Sequence, residues 1–242
     1  MGAKEKTGFL GRRSRARGSS PPAPEQRPAR IPNAVVRRLV HYTRVLKALE
    51  QAGIEKVSSR QLADNLGINS AQVRKDLACF GQFGVPGVGY RVGELRASLK
   101  RILGTDKEVR AALVGVGNLG SALMSYGGFA RQGFRIVAAF DNDGRKIGTV
   151  RAGVPIYAMS DLADLVREHE IEIAILCVPS EAAQSVADSL VEAGISGILN
   201  FVPVRLTVPP RVRVQPVDLT VEIETLSFYL HSVTVQNGGT PA

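Results

Sequence analysis

Three glycines in the middle of the chain, Gly115, Gly117 and Gly120, have the spacing G-x-G-x-x-G. They follow the apolar run Val109–Val114, which has the length of a buried strand, and the small residues of Leu119–Phe129 predict a helix after them. In such a unit the first glycine permits the tight turn, the second lets the backbone approach a pyrophosphate, and the third lets helix and strand pack closely. The helix N-terminus adds free N–H groups that bind phosphate oxygens. The predicted phosphate cradle comprises Gly115, Val116, Gly117, Asn118, Leu119 and Gly120.

An acidic residue closes the next apolar run. This run, Phe134–Phe140, leads into Asp141, which lies 26 residues after Gly115. An acid here binds the ribose hydroxyls of adenosine, although the usual spacing is about 20 residues. Lys146, in the following loop, is a candidate contact for phosphate or ribose. A lysine also suits a 2′-phosphate, but an acid at the strand end opposes that group, so the pattern favours NAD over NADP. The alternative is a glycine-rich turn in another kind of α/β domain.

The rest of the C-terminal half alternates strands with helices. Ile171–Val178 and Gly197–Asn200 are predicted buried strands, Ser160 is a candidate cap for one helix, and another begins just after Pro179. This alternation is typical of a Rossmann-like parallel sheet in the α/β class. Val178 and Pro179 stand at the carboxyl end of a strand, where such sheets bind ligands, so we expect the nicotinamide of a dinucleotide there.

The segment before residue 104 predicts three helices. Asn33 is a candidate N-cap for a long helix that ends near Gln51, along which apolar residues recur at helical spacing. Two short helices follow, joined by a tight turn at Gly67. The capping pairs expected for these short helices are Ser58 with Gln61 and Asn69 with Gln72. Two short capped helices after a longer amphipathic one are typical of the helix-turn-helix motif.

The second short helix carries the residues expected to contact DNA bases, because the second helix of this motif enters the major groove. Glutamine pairs with adenine, arginine with guanine, and lysine usually meets phosphate, which suits Gln72, Arg74 and Lys75. We expect Asp76 instead to pair with an arginine or lysine of the same chain. The alternative for each residue is a solvated helix face. The candidate DNA contacts are Ser58, Arg60, Asn69, Gln72, Arg74, Lys75 and Arg91.

A β-hairpin is predicted directly after this helix. Phe83–Arg91 has the turn signal Pro86-Gly87 between alternating apolar and glycine positions. In this place the hairpin would be the wing of a winged helix. Val92–Leu103 then predicts a connecting helix with leucines on one face, and the segment 104–106 is the best domain boundary.

Positive charge is concentrated in the N-terminal part of the 242 residues. The net charge of +9 divides into +6 for residues 1–30, +7 for residues 31–104 and −4 for residues 105–242. This asymmetry indicates a nucleic-acid-binding module joined to a different one. Residues 1–30 show no apolar periodicity and are predicted to be disordered. They are either a solvated tail or a basic arm that adds non-specific phosphate contacts.

The composition excludes several classes of protein. No apolar run approaches the roughly 18 residues that a membrane span needs, and the basic N-terminus lacks the apolar region of a secretory signal. The two cysteines, Cys79 and Cys177, have no neighbouring partner. They fit a reducing cytoplasm, where we expect the protein to be located, and exclude a cysteine-based metal site. No metal ligand set is expected.

The last ordered segment interrupts the strand–helix alternation. Residues 217–235 predict a helix that is unusually apolar for a chain end, followed by a disordered tail at 236–242. Its apolar residues are Val221, Ile223, Leu226, Phe228, Tyr229 and Leu230. The helix must bury this surface, either on its own domain or on a second subunit. A helix-turn-helix protein that reads two half-sites needs such a second subunit.

From Ile31 to Val233 the chain resembles the redox-sensing transcriptional repressor family Rex. The motifs that carry the resemblance are Val73–Leu77 followed by Phe80-Gly81, then Gly87–Tyr90, Gly115–Gly120, Asn200–Pro203 and Leu226–Phe228. The resemblance implies an N-terminal winged helix, a Rossmann domain that binds NADH or NAD⁺, and a homodimer that exchanges its C-terminal helix. It also implies repression of respiratory and fermentative genes through palindromic operator DNA when NADH is low, with release when NADH rises.

Residue roles follow from the same resemblance. Gly115 to Gly120 would cradle the pyrophosphate, Asp141 would hold the adenine ribose, and Tyr90 would lie near the nicotinamide. Arg44 and Asp218 match a charged pair, contributed across the dimer, that takes part in switching. Leu219 stands where the family often has phenylalanine, so the residue at this position is apolar but not aromatic. The long basic tail is also outside the common pattern.

The predicted organisation has five parts. They are a tail (1–30), a winged-helix DNA-binding domain with connector (31–104), an NAD(H)-binding Rossmann domain (105–216), a dimerisation helix (217–235) and a second tail (236–242). Two other functions remain open. An NAD-dependent oxidoreductase needs an acid–base group near the nicotinamide, and His41, His169 and His231 are poorly placed for this role. A CoA- or nucleotide-binding regulatory module is the second alternative, against which Asp141 argues.

Overall fold

The structure is a computed structural model that describes residues 1–2, 31–85 and 87–237, with side chains as far as residue 231. The tail predicted for 1–30 therefore lies almost wholly outside the described residues, as do Pro86 of the predicted wing turn and residues 238–242. None of the described helices is long and apolar enough to cross a membrane. Within the same residues no three His, Cys, Asp or Glu side chains group as a metal site would require.

The N-terminal part is a small helical unit with a two-stranded sheet. Its elements are α1 (Asn33–Gln51), β1 (Lys56–Val57), α2 (Ser59–Asp64), α3 (Ser70–Ala78), β2 (Tyr90–Arg91) and α4 (Val92–Ile102). The apolar sides of α1 and α4 pack on each other, and buried leucines from both helices form the centre of this core. The helical spacing seen in the sequence produced this packing, because it places one apolar stripe on each helix.

The helix caps agree only partly with the sequence prediction. Ser58 and Gln61 form the expected capping box on α2. On α3, the Asn69 side chain accepts a hydrogen bond from the N–H of Ala71 at 2.8 Å, but Gln72 does not complete the pair. The cap predicted for α1 was wrong. Its N-cap is Pro32, whose carbonyl accepts the first helical hydrogen bonds, so Asn33 already has helical geometry and makes no cap bond.

The predicted wing is present in a reduced form. Val85 and Gly89 make a single bridge, and the strand β2 pairs antiparallel with β1 rather than with the other arm of the hairpin. The sequence did not predict β1. Gly89 permits the pairing, because a Cβ there would lie 2.6 Å from the carbonyl oxygen of Val57. The connector α4 follows β2 as predicted.

The C-terminal part is a seven-stranded sheet with helices on its faces. Its strands are β3 (Val109–Val114), β4 (Phe134–Phe140), β5 (Val150–Arg151), β6 (Val154–Tyr157), β7 (Ile173–Leu176), β8 (Gly197–Asn200) and β9 (Arg213–Pro216). The strand order is β5-β6-β4-β3-β7-β8-β9, and all neighbours are parallel except the edge pair β5–β6. This is the doubly wound Rossmann-like order, in which successive strands are added first on one side of the central strand β3 and then on the other.

Five helices complete the C-terminal part: α5 (Asn118–Met124), α6 (Gly128–Arg131), α7 (Leu162–Glu168), α8 (Ala183–Glu192) and α9 (Leu219–Asn237). The helix predicted over 119–129 is thus two helices, separated at Ser125–Gly127. Helix α7 is preceded by a 3₁₀ turn at Met159–Asp161, and its N-cap position is held by Asp161, which makes no side-chain cap bond, so Ser160 is not the cap. The final helix runs to Asn237, two residues beyond the predicted boundary.

Candidate dinucleotide-binding site and DNA-binding surface

The glycine-rich turn joins β3 to α5 at the carboxyl edge of the sheet. Gly115 has φ +93°, and a Cβ on it would lie 2.4 Å from the carbonyl oxygen of Cys177. A Cβ on Gly120 would lie 2.1 Å from the carbonyl oxygen of Gly115. The protein's own packing therefore requires glycine at both positions, the first for the turn and the third for close helix–strand contact.

Gly117 differs from the other two glycines. Its φ is −79°, which any residue can adopt, and a Cβ there would meet no protein atom within 4 Å. The packing of the described residues gives no reason for glycine at this position. A pyrophosphate that approaches the backbone at the N-terminus of α5 supplies such a reason. The residues present therefore fit a dinucleotide.

Asp141 lies beside this turn, at the end of β4. Its Oδ2 accepts a hydrogen bond from the N–H of Val116 at 2.8 Å and another from Nζ of Lys146 at 2.9 Å, and its Oδ1 accepts from the N–H of Asp143 at 2.8 Å. Burial raises the pKa of the Asp141 carboxyl, but the bonds from Lys146 and the two backbone groups outweigh it and lower the pKa. The ionised carboxylate is an acceptor in a fixed orientation, as ribose hydroxyls require.

Lys146 is committed to Asp141. Their ion pair is mostly buried, with exposed fractions of 25% for the lysine side chain and 12% for the aspartate. The structure thus places Lys146 within the predicted site, where it neutralises the acid. The pairing leaves Oδ1 of Asp141 with only one backbone bond, so this oxygen has acceptor capacity left.

The carboxyl end of β7 forms the opposite side of the turn. The Cys177 N–H donates to the carbonyl oxygen of Val114 at 2.8 Å, and a Cβ on Gly115 would lie 3.0 Å from Cγ1 of Val178. Val178 therefore lies directly beside the glycine turn, and Pro179 follows it in the chain. Burial raises the pKa of the Cys177 thiol to about 11. This thiol is neutral at physiological pH and a poor nucleophile.

Tyr90 is not brought to this turn within one chain. Its ring is buried in the N-terminal core, beside Gly84, and the described residues that line the clefts around it all come from the segment 56–98. Burial raises the pKa of its hydroxyl, so the group is neutral.

A separate cleft of about 600 Å³ lies by α6 and the first halves of β3 and β4. Arg110, Tyr126, Phe129 and His169 are among its lining residues. Parallel sheets bind ligands at the carboxyl ends of the strands. We therefore assign the candidate ligand site to the glycine turn. His169 lines this cleft and not the glycine turn.

The outward side of α3 is basic. Arg74 and Lys75 are exposed, and Nη1 of Arg74 donates to Oγ of Ser59 on α2 at 3.0 Å. Arg60 is exposed on α2, and Arg91 at the end of the wing makes an exposed contact of 3.4 Å with Glu94. Surface pairs of this kind contribute little to stability, so these cations are available to phosphates. The bond from Arg74 to Ser59 brings the outward side of α3 next to the N-terminus of α2.

Gln72 departs from the prediction that it reads a base. Its Nε2 donates to Oδ1 of Asp76 at 2.6 Å, and the side chain is half-buried. Asp76 also accepts bonds from Nε of Arg38 at 2.6 Å, from Nη2 of Arg38 at 2.8 Å and from the hydroxyl of Tyr42 at 2.8 Å. The intramolecular pairing predicted for Asp76 is confirmed. We call Arg38, Tyr42, Gln72 and Asp76 the Asp76 cluster.

Sequence analysis missed Arg38 and Tyr42. Both lie on the side of α1 that faces α3, and their spacing of four residues matches that of Gln72 and Asp76. The available signal was a pair of polar residues four positions apart beside the buried stripe of each helix, Arg38 with Tyr42 and Gln72 with Asp76. It became specific only when the two helices were placed together.

The two residues of the predicted switch pair are apart in one chain. Asp218 caps α9, since its Oδ1 accepts from the N–H of Thr220 at 2.9 Å. The groove beside it is lined on the α1 side by Asn33 and Arg37, whereas Arg44 lies exposed about 10 Å further along α1. Any pairing of Arg44 with Asp218 therefore needs a second chain or a rearrangement.

Two family models match the chain. One is described as "Putative DNA-binding protein N-terminus" and matches residues 30–78, which include α1 to α3. The other is described as "CoA binding domain" and matches residues 106–204, which include the glycine turn and most of the parallel sheet. One match falls in each of the two units seen in the structure.

Curated relatives cover most of the chain. The Redox-sensing transcriptional repressor Rex of Carboxydothermus hydrogenoformans is 49% identical over 199 residues, which are 82% of this chain and 96% of the relative. That of Listeria welshimeri is 43% identical over 203 residues, 84% of this chain and 94% of the relative.

Solved structures agree in sequence and fold. A crystal structure of RSP in complex with beta-NAD+ and operator DNA matches with a TM-score of 0.81 and 37% identity, over 86% of this chain and 96% of that one. The complex of RSP with beta-NADH has a TM-score of 0.76 and 36% identity, over 86% and 98% of the two chains. RSP is described as a Rex-family repressor. The chain therefore belongs to the Rex family of redox-sensing transcriptional repressors.

Proposed function

We propose that this chain is a homodimeric transcriptional repressor that binds operator DNA and senses the ratio of NADH to NAD⁺. The observation that carries the proposal is the presence, in one chain, of a helix-turn-helix with a basic outward face and a Rossmann turn whose middle glycine faces open space. RSP, which is similar over nearly its whole length, was solved with NAD⁺ and operator DNA and with NADH.

The DNA-binding surface is formed by α2 and α3. In a helix-turn-helix the second helix lies in the major groove, and on α3 the exposed stripe consists of Ala71, Arg74, Lys75 and Ala78. Arg74 is suited to guanine and Lys75 to phosphate. Ser58, Arg60 and Asn69, at or near the helix N-termini, are the candidate contacts to the DNA backbone, and Arg91 is the candidate contact from the wing.

The ligand is a dinucleotide without a 2′-phosphate. Gly117 leaves the backbone open to a pyrophosphate, and Oδ1 of Asp141 has acceptor capacity left for a ribose hydroxyl. A 2′-phosphate would meet the carboxylate of Asp141, and Lys146 is already paired with that group at 2.9 Å. The site therefore favours NAD(H) over NADP(H). Val178 and Pro179 are the residues proposed for the nicotinamide end.

The dimer is proposed from the last helix. Every residue from 219 to 231 is exposed, including Leu226, Phe228 and Tyr229. A helix that is apolar on all sides is normally buried. A second copy of the chain is the occupant that a repressor of two half-sites requires, and exchange of α9 between subunits covers both helices.

The switch depends on a difference in charge. The nicotinamide of NAD⁺ carries a positive charge, and that of NADH does not. We propose that Arg44, and Asp218 at the start of α9, change partners across the dimer between the two states, with Tyr90 of the wing at the interface. The state with NAD⁺ or an empty site then holds the two α3 helices about 34 Å apart, the spacing of successive major-groove faces. The closed state favoured by NADH does not.

The experiment that tests this function is operator binding by the full chain at fixed salt, with NADH, with NAD⁺ and with neither. Salt must be fixed because phosphate contacts make affinity steeply salt-dependent. We expect a sequence-specific complex that NADH dissociates and NAD⁺ does not. Operator DNA must weaken NADH binding by the same factor, since binding couplings are reciprocal. Specific binding that NADH leaves unchanged would contradict the sensing role.

A second function is favoured by one observation, the match of residues 106–204 to a CoA-binding family model. Competition distinguishes an NADH site from a CoA site: NADH bound to the protein should resist displacement by excess CoA.

We also propose that the chain is not an enzyme and that it acts in the cytoplasm. The lack of enzyme activity is supported by the neutral thiol of Cys177 and by the position of His169 away from the turn. Turnover of NADH with a 2-hydroxy acid, keto acid or aldehyde would contradict it.

A further inference from the structure

The Asp76 cluster fixes a carboxylate more completely than helix packing alone requires. Four hydrogen bonds reach the two oxygens of Asp76, two from Arg38, one from Tyr42 and one from Gln72. A carboxylate offers about four acceptor positions, so this one is saturated. The two parallel bonds from Arg38 also fix the plane of the group, because a guanidinium is rigid.

The cluster lies behind the surface proposed for DNA. Asp76 is 1% exposed and faces α1, whereas Arg74 and Lys75 of the same helix are exposed on the outward side. None of the bonds of the cluster involves these two cations. Asp76 therefore has no direct access to DNA and acts, if at all, through the placement of α3.

Helix α1, whose Arg38 and Tyr42 bind Asp76 of α3, also contacts the Rossmann unit. Nζ of Lys47 donates to the carbonyl oxygen of Arg131, at the end of α6, at 3.0 Å. At the other end of α1, Asn33 and Arg37 line a groove with residues 215–219 and 222. The helix that carries Arg38 and Tyr42 thus lies between α3 and the proposed sensor.

We propose that Asp76 is a positioning residue for DNA recognition, which fixes the angle and rotation of α3 on α1 so that Arg74 and Lys75 enter the major groove in one orientation. This inference rests on the proposed function, since it requires α3 to be the recognition helix. It assigns Gln72 to the cluster in place of base reading.

Asp76 matters for sequence recognition because base contacts and phosphate contacts tolerate different displacements of α3. Apolar packing by Val73 and Leu77 resists separation of the helices but has little directional preference. Base-edge hydrogen bonds need placement within about 0.5 Å and 10–20°. Phosphate contacts tolerate much larger displacements and carry no sequence information. Loosening α3 should therefore weaken operator binding much more than non-specific binding.

The experiment compares Asp76→Asn with Val92→Ala in the full chain. Val92 is 1% exposed in the same core but lies on α4, outside the cluster, so its truncation lowers stability without loosening the α1–α3 contact. Affinity is measured for an operator and for a scrambled duplex of equal length, at several salt concentrations. The melting temperature and NADH affinity without DNA show whether each variant is folded.

We expect Asp76→Asn to lower the ratio of operator to scrambled affinity by about tenfold, the effect of losing one good base contact. The dependence on salt should stay the same, because the cations remain. Val92→Ala should lower the melting temperature and leave the ratio unchanged. A ratio within twofold of the wild-type value in folded Asp76→Asn would overturn the proposal.

Two milder variants serve if Asp76→Asn does not fold. Arg38→Lys keeps the charge but loses the parallel bonds, so we expect it to lose discrimination. Tyr42→Phe removes a single hydrogen bond, so its loss should be smaller. Equal discrimination in Arg38→Lys and wild type would again overturn the proposal. Failure of the proposed function is distinct, because the wild-type chain itself would then fail to discriminate between the two duplexes.

Discussion

Arg38 and Asp76, which are 38 residues apart in sequence, join α1 to α3 by two parallel hydrogen bonds of 2.6 and 2.8 Å. The side chain of Asp76 is 1% exposed and that of Arg38 is 27% exposed. Burial raises the pKa of the Asp76 carboxyl, but the bonds from Arg38, Tyr42 and Gln72 outweigh it, and the pKa lies below its ordinary value. The pair is therefore ionised throughout the physiological range.

This pair should make stability depend on acid pH. Asp76→Asn is expected to lower the free energy of unfolding by about 3 kcal/mol at pH 7, since it leaves Arg38 without its charged partner. The folded-state pKa lies below the unfolded value, so the contribution of the carboxylate is complete above about pH 4 and is lost as pH falls through the folded-state pKa. Urea unfolding at pH 7 and pH 3 should show the difference between wild type and variant shrinking. An equal difference at both values would contradict this.

The glycines of the turn should separate folding from ligand binding. Gly117→Ala meets no protein atom, so we expect a change in stability below about 1 kcal/mol, the scale of a changed N-cap. Its methyl group would stand where the pyrophosphate approaches, and NADH affinity should fall at least about tenfold.

Gly120→Ala is the matched comparison for that variant. Its Cβ would lie 2.1 Å from the carbonyl oxygen of Gly115, so stability should fall by about 2 kcal/mol or more. Thermal unfolding and fluorescence titration with NADH measure both quantities. Gly117→Ala that binds NADH as wild type does would show that the pyrophosphate lies elsewhere.

Asp141 should contribute to ligand affinity beyond its role in the turn. Asp141→Ala removes a charged acceptor for the ribose, and hydrogen bonds to charged groups contribute about 1.5–3 kcal/mol, so NADH affinity should fall at least about tenfold. Lys146→Ala breaks the same ion pair but keeps the acceptor, and we expect a smaller loss. Isothermal titration with NADH and NADPH distinguishes the two. Equal losses in both variants would mean that the ion pair, rather than a ribose contact, matters.

The two cations of α3 should differ in what they contribute. Arg74→Ala is expected to cost about 1–3 kcal/mol in operator binding and to relax the preference at one base pair. Lys75→Ala should weaken operator and scrambled duplexes alike and reduce the salt dependence by about one phosphate contact. Fluorescence anisotropy with a set of single-base operator variants measures both effects. If Lys75→Ala relaxed the base preference and Arg74→Ala weakened both duplexes alike, the base contact would belong to Lys75.

The last helix should control the oligomeric state. Phe228→Glu places a charge on a side chain that is 66% exposed in one chain and that we propose to be covered in a dimer. We expect dissociation to monomers and loss of operator binding, because a buried unpaired charge is costly. Glu224→Gln, on the same helix, is the control and should remain dimeric. Sedimentation velocity reports the state, and a variant that stays dimeric would place the interface elsewhere.

Patterns that depend on neighbouring residues were readable from the sequence. The turn from β3 to α5 follows from glycine spacing, and the α2 cap follows from Ser58 and Gln61, because both involve atoms within about six residues. The strands β3, β4 and β8 were bounded correctly, since each is a short apolar run with clear ends. Family membership also followed, because it rests on several such local motifs.

Short or weakly patterned elements were not readable. The strands β5, β6 and β9 have two to four residues each and become strands only by pairing with an existing sheet. β1 was missed for the same reason, as its partner β2 lies more than 30 residues away. The break at Ser125–Gly127 was missed because small residues also suit a continuous helix.

The sequence by itself determined the order of the two units, the position of the glycine turn and the identity of the helix-turn-helix, since all three depend on local spacing. Only the tertiary structure decided what the polar side chains do. It paired Gln72, which was predicted to read a base, with Asp76, joined Arg38 and Tyr42 to them, paired Lys146 with Asp141 and left the side chains of α9 exposed as far as residue 231. The physical reason is that a hydrogen bond needs both partners within about 3 Å, and residues distant in sequence reach that distance only when the fold brings their helices or strands together.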